Sequence, residues 1–266
     1  MEQHRRYKIL IIILAGIAII EAIAIFGLLV SRPKRRPIKV QPPAPAVEKG
    51  KIAIVLDDWG YSLNNLPALK QIRYPLTLSI LPNLAYSKRI NQEGRALGFE
   101  VILHLPMEPR EKLNLEQNTI MTSMDEKTIK EILASDLSSI SYAKGISNHM
   151  GSAAVNDSRT MSVIFAELKK RGLYFLDSYV SAEEVTSSLA AKMGLSFARR
   201  SVFLDNKNDP EYIKGQIYQL KVKARINGKA IGIGHDRRIT LQVLKEIMPQ
   251  LEKEGYRFVP VSELVK

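Results

Sequence analysis

Short apolar runs alternate with longer amphipathic segments through most of this chain, and that alternation limits the fold more than any other feature. The first run, Ile52 to Leu56, is rich in β-branched residues and has no polar face. Such runs are typical of parallel strands that helices cover on both sides. Roughly eight strands alternating with helices predict a parallel α/β domain, and their number favours a barrel over an open doubly wound sheet. The predicted strands cover residues 52–56, 76–81, 100–105, 145–148, 173–176, 195–199, 230–233 and 256–261.

Capping signals mark several of the helices between these strands. Ser123-x-x-Glu126 has the spacing of a capping box and predicts a helix that runs to about Tyr142. Asp209 followed by Pro210 predicts the start of another helix, which runs toward residue 224. A helix that opens at residue 157 or 158 ends before Gly172. Further helices are predicted over residues 62–73, 85–97, 186–193 and 240–254.

The N-terminal region has a different composition from the rest of the chain. Ile9 to Val30 is almost uninterruptedly apolar, and as a helix it would span roughly 33 Å, enough to cross a bilayer core. A cleaved signal peptide is the alternative, but the apolar region is long, a basic cluster follows it, and no small-x-small cleavage site ends it. We therefore predict a single membrane anchor over residues 1–30, a Pro-rich linker over 31–50 and one large α/β domain over 51–266.

Charge and cysteine content narrow the classes of function. The net charge is +12, yet residues 1–49, with nine basic and three acidic residues, carry half of that excess. The remainder is spread along the domain without a basic block, which argues against nucleic acid as a partner. Positive charge on both sides of the apolar stretch leaves its orientation in a membrane open. The absence of cysteine excludes disulfides, thiolate metal sites and cysteine nucleophiles.

Two adjacent carboxylates, Asp57 and Asp58, follow the first predicted strand. Just past a strand end the chain turns, so both side chains can reach one site. Two carboxylates that close repel each other unless a cation or a shared proton lies between them. The alternative is that one of them caps the next helix while Gly60 makes the turn. Because α/β folds build their sites at the C-terminal ends of strands, we favour a functional pair.

The three histidines of the domain, His104, His149 and His235, all lie at or just after the C-terminal ends of predicted strands. In a parallel barrel those ends share one face, which is also the face of Asp57 and Asp58. One carboxylate and two imidazoles suit zinc or another first-row divalent ion with an open position for water. The second carboxylate is then free to accept a proton from the attacking water, and the third histidine to give one to a leaving group. These groups can hydrolyse an amide or an ester.

Six segments in this order resemble the motifs of the divergent polysaccharide deacetylase family, a branch of the carbohydrate esterases that share the NodB-type domain. The resemblance covers roughly residues 50–264 and implies an irregular (β/α) barrel of seven to eight parallel strands. It also implies metal-dependent removal of an acetyl group from a glycan. The segments are IVLDDWG at 54–60, HLPMEP at 104–109, NHMGS at 148–152, FLDS at 175–178, FLDN at 203–206 and GIGH at 232–235.

The resemblance assigns a role to each candidate. Asp57 matches the family's general base and His235 its general acid, whereas Asp58, His104 and His149 match its metal ligands. Unlike the better characterised NodB pattern, the two histidine ligands here come from different strands. Three more residues stand in matching segments, where they could orient a site imidazole or substrate or simply stabilise the following turns: Asn148, Asp177 and Asp205.

The sequence therefore predicts a metal-dependent deacetylase that is anchored in the cytoplasmic membrane by a single helix. Its barrel would lie in the periplasm or outside the cell, where the partner is an N-acetylated envelope or cell-wall glycan. A catalytically silent glycan-binding or scaffold domain with the same barrel is the alternative. A metal phosphohydrolase is disfavoured, because no motif supplies a second metal site or a basic clamp for phosphate.

Overall fold

The structure, a computed structural model, describes residues 2–30, 48–183 and 185–266. It divides into two compact units, Met1–Pro45 and Ala46–Lys266. Residues 31–47 of the predicted linker lie outside the described residues, so the linker stays a prediction.

The described part of the N-terminal unit is one helix, α1 (Glu2–Val30). Within it the segment Arg5–Gly27 has 23 residues and a mean hydropathy of 3.0. A helix of that length rises about 35 Å, which is enough to cross a bilayer. The predicted apolar helix of membrane-spanning length is therefore present.

The described part of the C-terminal unit contains nine strands in one sheet, and every pairing between them is parallel. Their order is β6-β5-β4-β3-β2-β1-β8-β7, with β9 beside the start of β1. The two edge strands, β6 and β7, are separated by only two residues of chain, so the sheet curls until its edges are neighbours. This confirms the irregular parallel barrel. The strands are β1 (Gly50–Trp59), β2 (Thr77–Ile80), β3 (Glu100–Met107), β4 (Gly145–Met150), β5 (Tyr174–Asp177), β6 (Phe197–Arg199), β7 (Val202–Phe203), β8 (Lys229–His235) and β9 (Tyr256–Phe258).

Seven helices connect the strands. The caps at Asp209 and Gly172 are confirmed: the Asp209 carboxylate accepts from the Tyr212 N–H, and Gly172 adopts a left-handed conformation with φ of 67°. The helices are α2 (Leu66–Leu69), α3 (Ser87–Ala96), α4 (Glu126–Ser139), α5 (Ser158–Arg171), α6 (Val185–Met193), α7 (Pro210–Asn227) and α8 (Arg238–Lys253).

Two helix predictions were wrong in detail. The capping box at Ser123 does not form, because α4 begins later and the carboxylate of Asp125 accepts from the Thr128 N–H. The helix predicted over residues 62–73 is only the four residues of α2. Pro67 is tolerated only in the first turn of a helix, so the helix cannot begin much before it.

The domain has two apolar clusters, one on each side of the sheet. Ile52, Ile54 and Leu56 pack with helix residues in the outer cluster, whereas Ala53 and Val55 belong to an inner cluster that contains no residue of the named helices. Alternate residues of a strand point to opposite faces, so the inner cluster is the inside of the barrel. Residues from the chain's end also belong to it: Val259, Val261 and Leu264.

Candidate active site

The inner face of the barrel changes from apolar to polar toward the C-terminal ends of the strands. Two residues beyond Val55 the next inward position of β1 is Asp57. The same step leads from Ile102 to His104 in β3. These polar side chains, with others, line a cleft of about 280 Å³. The predicted convergence of site residues at one end of the barrel is what the structure shows.

Alternation alone would turn Asp58 away from this cleft, since it follows an inward residue. Instead β1 has an irregularity here: Leu56 pairs with Leu78 of β2, but the next pair is Trp59 with Ile80. Asp58 has a φ of 64°, a left-handed conformation that non-glycine residues rarely adopt. The expectation that the strand ends before the two carboxylates was wrong; β1 runs to Trp59, and this bulge brings both into one site.

The three predicted metal ligands lie together. The Oδ1 atom of Asp58 is 3.3 Å from His104 Nε2 and 3.2 Å from His149 Nδ1, and the two imidazole nitrogens are 3.2 Å apart. The histidines converge because β3 and β4 are neighbours in register, with His149 opposite Pro106, two residues beyond His104. Two neighbouring strands thus supply the pair of histidines that the NodB pattern takes from one segment.

These residues fit a divalent cation. Two ligand atoms held 2.0–2.1 Å from a tetrahedral ion lie about 3.3 Å apart, which matches the spacings between the three donor atoms. Burial by itself favours the neutral acid at Asp58, but hydrogen bonds from His104 and His149 outweigh it and hold the pKa of this carboxyl below its usual range. This carboxyl is therefore ionised at any physiological pH, as a metal ligand has to be.

Two hydroxyl groups behind the site hold the His104 ring, and no sequence pattern predicts them. The Nδ1 atom of His104 is 2.8 Å from Ser147 Oγ, which is 2.7 Å from Ser79 Oγ. All three side chains are buried. A partner on the second ring nitrogen fixes the orientation of a metal-ligating histidine, and Ser147 takes that place here.

Asp57 has the features of a general base. It is 3% exposed, and its Oδ1 atom has no hydrogen-bond partner among the described residues. Burial, the largest effect, raises the pKa of this carboxyl above its ordinary value of 3.8. Its Oδ2 atom lies 3.7 Å from His104 Nε2. A carboxylate with a free lone pair and a raised pKa beside the ligand set can accept a proton from water in the cleft.

His235 is held by Asp205, as one of the two sequence interpretations of Asp205 proposed. The Nδ1 atom of His235 is 2.8 Å from Asp205 Oδ1, while Asp205 Oδ2 accepts from the His235 backbone N–H and the Thr240 hydroxyl. Burial by itself lowers the pKa of His235, but this fully buried carboxylate outweighs it and raises that pKa. The free Nε2 atom, 3.8 Å from Asp58 Oδ2, faces the cleft and can deliver a proton.

Asp177 and Asn148 have local partners. Asp177 accepts from the Tyr179 N–H, the Thr186 hydroxyl and Arg199 Nε, so it stabilises the turn after β5 instead of orienting a histidine. Asn148 lines the cleft, but its amide binds backbone on both sides: it donates to Met150 O and accepts from the Ser178 N–H. For both residues the structure favours the turn-stabilising alternative.

Arg200 and Phe203 are two of the cleft-lining residues that the sequence reasoning missed. Arg200 donates to the carbonyls of Ser178 and Tyr179 at 2.6 and 2.9 Å, and its Cζ is 4.5 Å from the Phe203 ring. That ring packs against His235 with a centroid distance of 5.1 Å. Ala198 faces the inside of the barrel, and side chains alternate between the two faces of a strand. A predicted strand that continued beyond residue 199 would therefore have placed Arg200 in the cleft.

A family model described as divergent polysaccharide deacetylase matches residues 54–265. The uncharacterized protein YibQ of Escherichia coli K12 is 33% identical to this chain over 217 residues, which cover 82% of this chain and 66% of that protein. The chain therefore matches slightly less than two thirds of that relative's length.

Two solved structures show the same fold. The uncharacterized protein ATU2773 from Agrobacterium tumefaciens C58 has a TM-score of 0.77 at 24% identity, covering 84% of this chain and 92% of that one. The catalytic domain of the peptidoglycan N-acetylglucosamine deacetylase from Eubacterium rectale ATCC 33656 has a TM-score of 0.53 at 16% identity, covering 85% and 94%.

Proposed function

Because the chain belongs to the divergent polysaccharide deacetylase family, we propose that it is a metal-dependent hydrolase that removes acetyl groups from an N-acetylated glycan of the cell envelope. The observation that carries the proposal is the convergence of Asp58, His104 and His149 on one point beside the buried, unpartnered carboxylate oxygen of Asp57. A cluster with a purely structural role would not require a base such as Asp57 and an acid such as His235 beside it. The name of the Eubacterium rectale relative supports a glycan substrate.

In this proposal Asp58, His104 and His149 hold the ion, and zinc is the ion that two imidazoles and one carboxylate favour. When bound, the ion polarises the acetyl carbonyl and makes water more acidic. Asp57 Oδ1 accepts a proton from the water that attacks the carbonyl carbon. His235 Nε2 gives its proton to the nitrogen as the C–N bond breaks, so acetate and a free amine leave.

The electrostatics of the cleft suit these two roles. The raised pKa of Asp57 makes it a stronger base than an ordinary aspartate. The raised pKa of His235 keeps the imidazole protonated to a higher pH than usual. Activity should then fall at low pH as Asp57 is protonated and at high pH as His235 loses its proton, which gives a bell-shaped profile.

For the location of the reaction we propose that α1 anchors the chain in the cytoplasmic membrane, with the barrel on the outer side. The length and hydropathy of Arg5–Gly27 support the anchor. The side on which the barrel lies follows from the proposed substrate, since envelope glycans are outside the cytoplasm.

Metal content and acetate release test the proposal together. We expect the purified chain to contain near-stoichiometric zinc or another divalent ion, and the Asp58→Ala and His104→Ala variants to lose it. Asp57→Asn should keep the ion but release acetate from chitin oligosaccharides or peptidoglycan about 10²–10⁴-fold more slowly. A metal-bearing wild type that binds such glycans without releasing acetate would overturn the hydrolase and leave the silent binding domain.

A further inference from the structure

The end of the barrel opposite the cleft is rich in lysine. In a parallel sheet all strands begin at one end, and the connecting helices run back and finish there. The backbone confirms this at several points: Lys49 N–H donates to Gly255 O, and Lys144 N–H donates to Val101 O. We call the following residues at this end the basal lysines: Lys49, Lys51, Lys144, Lys170, Lys229 and Lys266.

Most acidic residues at this end are engaged with other cations. Arg257 pairs with Glu48 at 3.1 Å and with Glu263 at 3.2 Å, and Lys221 pairs with Glu254 at 3.0 Å. Glu100, at the start of β3, instead accepts from hydroxyl groups. One basal lysine, Lys51, lies within 3.8 Å of Glu263, and the other five have no carboxylate within ion-pair distance among the described residues. The basal lysines therefore give this end an excess of positive charge.

Helix dipoles account for only part of this surface. A cation near the C-terminus of a helix complements the helix dipole, and Lys170 in the last turn of α5 fits that explanation. Lys51 and Lys229 also lie close to the end of α7, since Gly228 caps that helix and its carbonyl accepts from the Lys51 N–H, and Lys229 Nζ donates to Leu264 O. Burial lowers the pKa of Lys229, and the charges of Lys266 and Lys51 lower it further, so these cations repel one another.

The chain enters the described part of the domain at the basal end, where β1 begins at Gly50. Residues 31–47 separate this end from α1 in the sequence. Those seventeen residues can extend at most about 60 Å. Before them comes α1, whose apolar segment is long enough to cross a bilayer. No comparable feature brings a nucleic acid to these lysines.

We propose that the basal lysines bind the anionic headgroups of the membrane that holds the chain, which turns the opening of the cleft away from the bilayer. The proposal rests on the proposed membrane anchoring and not on the hydrolysis. Lysines near an anionic surface each strengthen binding by about fivefold at physiological salt. Together they would favour one orientation of the domain relative to the bilayer.

The test uses the full chain in vesicles of phosphatidylcholine with and without phosphatidylglycerol. The chain has no cysteine, so a single introduced thiol carries a donor dye at one defined place. A donor at Ser262→Cys, at the basal end, reports energy transfer to acceptor-labelled lipid, and one at Ser123→Cys reports it from the loop before α4. We expect phosphatidylglycerol to increase transfer from the first position and not from the second, and high salt to remove the increase.

A matched pair of variants separates this surface from net charge. Replacing Lys49, Lys144, Lys170 and Lys266 by Gln should abolish the phosphatidylglycerol-dependent increase. Replacing four exposed lysines elsewhere should leave it unchanged, and circular dichroism checks that both sets fold; the control lysines are Lys88, Lys112, Lys127 and Lys207. Energy transfer that does not depend on phosphatidylglycerol, or that rises equally from both dye positions, would overturn the proposal. So would a nucleic acid that competes with the vesicles and depends on the same four lysines.

Discussion

His235 and Asp205 form the pair on which the pH dependence of the proposed reaction depends. Asp205 raises the pKa of His235, so the protonated acid persists to higher pH. In Asp205→Asn that pKa falls, and the high-pH decline in acetate release should move to lower pH, with kcat reduced at least tenfold at neutral pH. The pH profile of kcat measures both effects.

The chain offers a matched control for this variant in Asp177→Asn. Asp177 is as buried as Asp205, but its partners are Thr186, Tyr179 and Arg199 and not a histidine. This substitution should lower stability without moving either limb of the profile. An unchanged profile in Asp205→Asn, or equal shifts in both variants, would show that Asp205 does not control the proton of His235.

Another buried carboxyl, Asp136 of α4, is not among the residues that line the cleft and concerns stability. Burial raises its pKa to about 7, and Asn83 Nδ2 donates to one oxygen at 2.7 Å while the other oxygen has no partner among the described residues. Because the folded pKa exceeds the ordinary 3.8, the folded chain binds more protons than the unfolded chain between about pH 4 and 7. Its contribution to stability is present at low pH and is lost as the pH rises through that range.

We therefore expect Asp136→Asn, which stays neutral at every pH, to stabilise the domain at pH 8 by about 1–3 kcal/mol. The gain should vanish at pH 4, where the wild-type carboxyl is protonated. Denaturant unfolding at the two values measures the difference. Asp209→Asn is the control: Asp209 is an exposed N-cap of α7, and asparagine caps equally well. A gain that is the same at both values would contradict the assignment.

At the scale of the elements, the close contact between β4 and β5 leaves no room for a side chain at one glycine. A Cβ on Gly145 would lie 2.5–2.7 Å from three ring atoms of Tyr174, whose hydroxyl is bonded to Glu100. We expect Gly145→Ala to lower the free energy of unfolding by about 1–3 kcal/mol. Gly215, inside α7, has nothing within 4 Å, so Gly215→Ala should raise it by about 0.5–1 kcal/mol. Urea unfolding decides whether the two changes have opposite signs.

The elements also show how far the sequence could predict this domain. Uniformly apolar runs identify parallel strands, and the parallel arrangement puts His104, His149 and His235 at one end without any knowledge of contacts. The bulge at Asp58 could not be predicted, because a single residue in the left-handed conformation does not change the periodic pattern of the sequence. Ser79 and Ser147 were also missed, because their roles depend on which strands are neighbours. Strands as short as β7 carry too few residues for a pattern.

For the whole molecule, the proposed metal site predicts that folding is sensitive to metal. The three donor atoms come together only when β1, β3 and β4 are assembled, so an ion binds the folded chain in preference to the unfolded one. Zinc at a hundred times its dissociation constant should stabilise the fold by about 2.7 kcal/mol. Thermal unfolding with added zinc and with a chelator measures this shift. His149→Ala should abolish it, whereas Asp57→Asn should retain it; equal shifts in both variants would indicate binding elsewhere.

β1 pairs with β2, with β8 and, at its start, with β9. Two of those three neighbours come from residues 229–258, close to the end of the chain. During synthesis the first strand of the domain therefore emerges long before most of its partners exist, and an apolar strand with open edges pairs readily with the wrong segment. Those edges stay open until residues 229–258 have been synthesised, so the time for which they can mispair is set by the speed of the ribosome.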